Sequence, residues 1–90
     1  MAIQVEDFVW LDWVVEKIAT KHGVEVGETE EAFSDSTCKV RRAEMGKYRL
    51  YGRSWSGRYL FIIFAWEGSF VKVISARDMT HRERHYYGQK

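Results

Sequence analysis

The spacing of apolar positions changes once along this chain, and the change divides it in two. Up to residue 33 the apolar residues recur at intervals of three and four. Val14, Val15, Ile18 and Ala19 make one stripe of a helix, while Glu16, Lys17, Thr20 and Lys21 take much of the other side. Asp12 is placed to cap its start by accepting from the free backbone N–H groups of the first turn. Gly23 stands where a C-terminal cap falls. A second, shorter helix is predicted over Glu28 to Phe33, burying Ala32 and Phe33, and the polar turn Ser34-Asp35-Ser36 ends it.

From Cys38 onward the period is two, the repeat of a strand. Strands are predicted over Thr37 to Arg42, Lys47 to Ser54, Arg58 to Trp66 and Phe70 to Ala76, with turns at Trp55-Ser56-Gly57 and Glu67-Gly68. The third of these is apolar on both faces, which predicts a central strand covered on both sides. Short connections favour antiparallel neighbours, so the strands are expected to form a meander. Thr80 and Glu83 then make a capping-box pattern, each able to satisfy the other's orphan N–H, and open a final helix that runs to about Tyr87 with Gly88 beyond. The predicted class is α+β: two N-terminal helices, a four-stranded antiparallel meander and a C-terminal helix.

Composition narrows the classes. Ninety residues make a single domain over 1–90. Four Trp, five Tyr and five Phe are too many for a disordered chain. The longest apolar run, Tyr59 to Trp66, is eight residues, far short of the ~20 that span a bilayer, so no membrane association is expected. Glu6 and Asp7 near the start replace the basic region of a secretory signal. Cys38 is the one cysteine, so no internal disulfide can form, and a cytoplasmic home is expected.

Charge is split along the chain. Residues 1–35 carry nine acids and two bases, a net of −7, and residues 36–90 carry twelve bases and four acids, a net of +8. Such asymmetry fits a nucleic-acid surface on the basic side; it equally fits two halves that neutralise each other across the fold. Within the basic half, Lys47, Arg49, Tyr51 and Arg53 alternate onto one strand face, where cations attract phosphate and a ring can stack on an unpaired base. A solvated strand guarded by charge against aggregation has the same pattern.

The tail gathers Arg77, Arg82 and Arg84 with His81, His85, Tyr86 and Tyr87. Arginine can hold a phosphate through two parallel hydrogen bonds, and histidine can move a proton near neutral pH. His81 and His85 share a helix face, but two ligands fall short of a zinc site, and the H-x-E-x-H string is not the metalloprotease H-E-x-x-H. No metal and no small-molecule cofactor is expected. Cys38 has no assignable base, and the chain has neither a glycine-rich phosphate loop nor G-x-S-x-G.

Several short strings line up with one family. Lys21-His22-Gly23-Val24, then Gly52-Arg53-Ser54, Gly57-Arg58-Tyr59-Leu60 and Ile74-Ser75-Ala76-Arg77 leading into Thr80, Glu83, Arg84 and Tyr87, resemble the BrnT ribonuclease toxins in order and spacing. The resemblance runs from Trp10 to Tyr87. It implies a toxin of a type II toxin–antitoxin pair with a RelE-like fold, cutting RNA without a metal and silenced by a BrnA-type antitoxin. The implied chemistry is attack of a ribose 2′-OH on the adjacent phosphate. Carried over by position, Arg53 and Arg77 are the expected phosphate clamps and His22 or Glu83 the proton acceptor. Lys21, Lys47, Arg49, Tyr51, Arg84 and Tyr87 are the expected RNA contacts. The chain departs from the family where the first helix usually carries an aspartate, a lysine and an asparagine; Leu11, Val14 and Ile18 stand there instead. Gly46 likewise replaces the acid that usually precedes the basic-aromatic pair. These departures leave open a second reading, an inactive relative that binds RNA or the antitoxin alone.

Overall fold

The computed structural model describes residues 3–89. Its elements are β1 (Asp7–Val9), α1 (Asp12–His22), α2 (Val26–Phe33), β2 (Lys39–Arg42), β3 (Lys47–Arg53), β4 (Tyr59–Glu67), β5 (Phe70–Asp78) and α3 (His81–Gly88). The predicted meander is present as β2 to β5, each antiparallel to the next. The sheet, however, has five strands and is mixed: β1 pairs parallel to β5, giving the order β1-β5-β4-β3-β2. Sequence periodicity missed β1 because three residues are too few to show a period. Its place is set by contacts distant in sequence. Phe8 meets Phe33 edge to face with ring centroids 5.2 Å apart, and the Ser69 hydroxyl donates to Glu6 at 2.8 Å.

Element ends differ from the predicted ones for local reasons. Leu11, not Asp12, is the N-cap of α1; Asp12 already lies in the helix and makes no side-chain cap bond, though its charge still favours the positive helix start. In α2 the Glu28 carboxylate accepts from the Glu25 N–H at 3.1 Å and starts the helix before Glu28 itself. The Asp35 carboxylate accepts from both the N–H and the hydroxyl of Thr37, at 2.9 and 2.8 Å. That local turn delays β2 to Lys39. At the far end Thr80 and Glu83 do form the predicted capping box.

Helices α1 and α2 cover one face of the sheet. Val14 and Ile18 of α1, with Ala32 and Phe33 of α2, pack on Leu50, Leu60, Ile62, Phe64, Val71 and Val73, all 2% exposed or less. Phe64 is the hub, 5.1 Å from Phe33 edge to face and stacked on Tyr48 at 5.6 Å. The other face of β4 is only half covered, contrary to the two-sided burial predicted for it; its residues alternate between buried and intermediate. Helix α3 alone lies there, with no residue fully buried, and Tyr86 meets Tyr51 at 4.8 Å.

Arg58 ties the helical layer to the sheet. Its Nε and one Nη take both oxygens of Asp78 at 2.7 and 3.0 Å. The remaining N–H groups reach the carbonyls of His22 (2.9 Å) and Gly23 (2.7 Å) and the Glu28 carboxylate (3.2 Å). All five guanidinium donors are thus engaged, and the last carbonyls of α1 are satisfied at a point where Gly23, at φ 62°, turns the chain out of the helix.

Two substitutions test this account. A methyl group at Gly52 would sit 2.6 Å from the Ala32 carbonyl oxygen, so Gly52→Ala is expected to cost about 1–3 kcal/mol in urea unfolding. Arg58→Lys keeps the charge but not the five-donor fork, and is expected to lower stability by about 2 kcal/mol in the same measurement. A loss under ~0.5 kcal/mol, the range of ordinary surface changes, would remove the clamp from the account.

Candidate functional site

Register brings the first cations together. Arg53 ends β3 directly opposite Tyr59, which begins β4, and its guanidinium lies 4.6 Å from the Tyr59 ring centroid. The capping box of α3 aims Arg84 at the same ring, at 4.1 Å. Tyr87, one turn on, meets Tyr59 edge to face at 5.8 Å. Two guanidinium groups therefore share one tyrosine, and among the described residues neither has a carboxylate partner. Each cation–π contact contributes about 0.5–1 kcal/mol at an exposed site. The two like charges repel, and an anion between them would relieve that repulsion.

Tyr87 fixes the outer end of this group. Its hydroxyl donates to Asp35 at 2.5 Å and lies 2.7 Å from the Thr37 hydroxyl. Asp35 also accepts the backbone N–H of Arg53 at 3.0 Å, so one carboxylate positions both the strand end and the helix. Burial pushes the Asp35 carboxyl up, but its hydrogen bonds from Tyr87, Thr37 and Arg53 outweigh this and hold it below the ordinary 3.8. Burial first, then the bond to Asp35, push Tyr87 up to about 12, so it stays a proton donor at neutral pH. Two adjoining depressions of about 450 and 270 Å³ share Thr37, Arg53 and Tyr87 in their walls. A third, of about 340 Å³, is lined by Glu30, Glu31 and Trp55 and has the wrong charge for phosphate.

Arg77 occupies the next row of the same face, 4.3 Å above the Phe61 ring. Its two Nη atoms bind the two oxygens of Glu83 at 2.8 and 2.9 Å, and Glu83 also accepts the Thr80 N–H at 2.8 Å. The hydrogen bond from Arg77 is the main cause that holds the Glu83 carboxyl below its ordinary 4.5, with burial opposing it. A carboxylate so engaged is a weak proton acceptor and a strong positioner of Arg77.

The remaining predicted residues lie elsewhere. Tyr51 shares the face but is 6% exposed, enclosed by Phe61 and Tyr86, so its ring supports α3 and cannot stack on a base. Lys47 and Arg49 lie farther up β3, Arg49 about 13 Å from Arg53 at the rise of an extended strand. Lys21 and His22 close α1 on the opposite side of the sheet. His22 lies close enough to Asp78 to help lower its carboxyl, after the larger effects of the Arg58 bond and of burial. Asp78 follows Arg77 in sequence, but strand alternation sends the two to opposite faces. The structure thus groups Arg53, Arg84, Tyr87, Arg77 and Glu83, and holds Lys21 and His22 apart from them.

Cys38 is buried, and burial and then the Asp35 charge push its thiol up, away from nucleophilic use. Among the described residues no three His, Cys, Asp or Glu side chains gather as a metal-binding group, and no helix is long and apolar enough to cross a membrane. Asp35, Thr37, Lys39 and Tyr59 belong to the site and were missed from the sequence. The spacing Asp35-x-Thr37 signals a local turn, and Tyr59 falls opposite Arg53 once the hairpin register is fixed. Nothing local points to Lys39, whose ammonium caps the Tyr86 carbonyl at 2.7 Å and lies 4.6 Å from the Tyr86 ring.

Comparison with known proteins adds an independent line. The fold is similar to that of the Brucella abortus ribonuclease toxin BrnT, known from a crystal structure at 1.1 Å resolution, with a TM-score of 0.70 at 20% sequence identity. The match covers 83% of this chain and 97% of the other. Among curated protein sequences nothing matches. Residues 13–83 match the family model described as the ribonuclease toxin, BrnT, of type II toxin-antitoxin systems. That span takes in α1, the whole meander and the start of α3, and on it the chain belongs to the BrnT family of ribonuclease toxins.

Proposed function

We propose that this protein cuts RNA in the cytoplasm without a metal ion and is silenced by a BrnA-type antitoxin, on a fold of the RelE-like class. The observation that carries the proposal is the pair Arg53 and Arg84 over Tyr59, two cations with no carboxylate partner among the described residues. In the reaction a ribose 2′-oxygen bonds to the adjacent phosphorus as its proton leaves. The bond from phosphorus to the 5′-oxygen breaks, and that oxygen takes up a proton. The products are a 2′,3′-cyclic phosphate and a 5′-hydroxyl end.

Arg53 and Arg84 seat the scissile phosphate and offset the charge that builds on it. Arg77, held by Glu83, stands in the adjacent row as a further clamp. Tyr87, protonated at neutral pH, turns its hydroxyl from Asp35 to the leaving oxygen, gives up its proton there and recovers one from solvent. For the 2′-proton, Glu83 is a poor acceptor because Arg77 occupies both its oxygens. His22 stands on the opposite side of the sheet, so no side chain is assigned the role and the 2′-proton passes to water. Membership of the family implies an antitoxin partner and an RNA substrate.

A second reading has one observation in its favour. Val14 and Ile18, where the family resemblance places a lysine and an asparagine, are 0% exposed core residues. Helix α1 therefore presents no polar group at these positions, as an inactive RNA- or antitoxin-binding relative would not.

Incubation of purified protein with total RNA in EDTA, followed by end-group analysis, separates the readings. Wild type is expected to leave 5′-hydroxyl ends. Arg53→Ala and Arg84→Ala are expected to lower the rate about 100-fold or more, Tyr87→Phe about 100-fold, and His22→Ala to leave it little changed. A folded wild type that cuts nothing would transfer the case to the binding module.

The Asp35–Tyr87 bond also has a pH signature. Tyr87 is raised in the folded protein, so its contribution is complete below the ordinary value of 10 and disappears as pH rises through about 12. Asp35 is lowered, so its part is complete above 3.8 and disappears as pH falls below that. The stability difference between wild type and Tyr87→Phe, read from urea midpoints, is expected to be flat from about pH 5 to 9 and to shrink on both sides. A steady slope across the neutral range would contradict it.

A further inference from the structure

A second pair of cations lies on the same sheet face, outside the site just described. Arg41 of β2 and Arg49 of β3 stand directly opposite each other in the antiparallel register. Side chains so placed have Cβ atoms ~4.5–5.5 Å apart, and like charges there destabilise the strand pair. Among the described residues neither guanidinium has a carboxylate partner; Arg41 leans toward the Tyr86 ring at 5.4 Å. Protection of a sheet edge would account for Arg41, since β2 is the edge strand. It does not account for Arg49, whose strand is flanked by β2 and β4.

The pair continues the first site. Arg49 and Arg53 alternate onto one face of β3, about 13 Å apart along the strand, so a single phosphate cannot touch both. Between them Tyr51 is enclosed beneath Tyr86, and α3 makes a wall that Lys39 fastens from β2. Beyond Arg49 the row across the sheet continues through Ile63 of β4 to Ser75 of β5, with no acid in it. The carboxylate farther along this face of β4, Glu67, is paired with Lys72 at 3.0 Å.

We propose that Arg41 and Arg49 form a second phosphate seat, so that the protein holds a single strand of RNA over several nucleotides with the cleaved bond at Arg53 and Arg84. This rests on the ribonuclease reading above and adds to it the substrate class, an extended single strand rather than a dinucleotide. Continuity with the Arg53 cluster favours RNA over an acidic protein partner.

The test is binding of fluorescent 2′-O-methyl RNA, which lacks the attacking hydroxyl and is not cut, as a trimer and a ten-mer at several salt concentrations. The double variant Arg41→Ala, Arg49→Ala is expected to weaken the ten-mer about tenfold more than the trimer. It should also reduce the ten-mer's log–log salt slope by roughly 1.4, the contribution of two phosphate contacts on a single strand. Arg41→Lys, Arg49→Lys keeps the charges and is expected to restore most ten-mer binding, which guards against a simple loss of fold. Ten-mer binding and slope unchanged in the alanine double variant would overturn the proposal, including the case in which an acidic protein takes the pair. Loss of both oligonucleotides in Arg53→Ala, Arg84→Ala supports the first site. If that variant binds both normally while the Arg41 and Arg49 variant does not, the first reading fails and the second seat stands.

Discussion

The five hydrogen bonds of Arg58 are the interaction on which the rest of this structure depends. A protein of ninety residues buries a small core, and here that core lies between one face of a sheet and two short helices. Packing alone would leave the C-terminal carbonyls of α1 open near the sheet. Arg58 closes them and, through Asp78, fixes the end of β5 against the start of β4. The other face of the same two strand ends carries Tyr59 and Arg77. Geometry at the Arg53, Tyr59 and Arg77 cluster is therefore set from the opposite side of the sheet, by a cation outside it.

This arrangement recasts the string Lys21-His22-Gly23. Gly23 turns the chain out of α1, and His22 offers its carbonyl to Arg58. The motif's spacing follows from ending a helix beneath an arginine, whatever its imidazole does. Glu83 is a similar case: its two oxygens hold Arg77 and its position in the capping box starts α3. Residues that resemblance marks as functional can thus owe their type to orienting a neighbour.

Much of the fold was legible from the chain. The stripe Val14, Val15, Ile18, Ala19 and the change of period after residue 33 give α1 and the meander, because a helix and strands joined by short turns both rest on contacts close in sequence. The capping box at Thr80 and Glu83 is likewise local. What was not legible depends on pairs far apart in sequence: β1 against β5, Asp35 with Tyr87, Arg58 with the end of α1. The alternation of β3 correctly put Arg49, Tyr51 and Arg53 on one face, yet exposure of Tyr51 could not be read from it, since α3 covers that row. The charge split has a spatial meaning as well. The acids of α1 and α2 lie on the helical side, and Arg41, Arg49, Arg53 and Arg84 lie on the open face, a polarity that would orient an approaching polyanion.

Lys39 bonds the carbonyls of both Tyr86 and Gln89, and Gly88 and Gln89 form part of the wall around Arg53. Gly88 and Gln89 therefore stand beside the entrance that the proposed RNA would use. A purification handle or reporter domain fused there would act as a built-in competitor and make a working protein look inert. The orientation of a fusion is therefore a biochemical variable for this protein, not a convenience of vector choice.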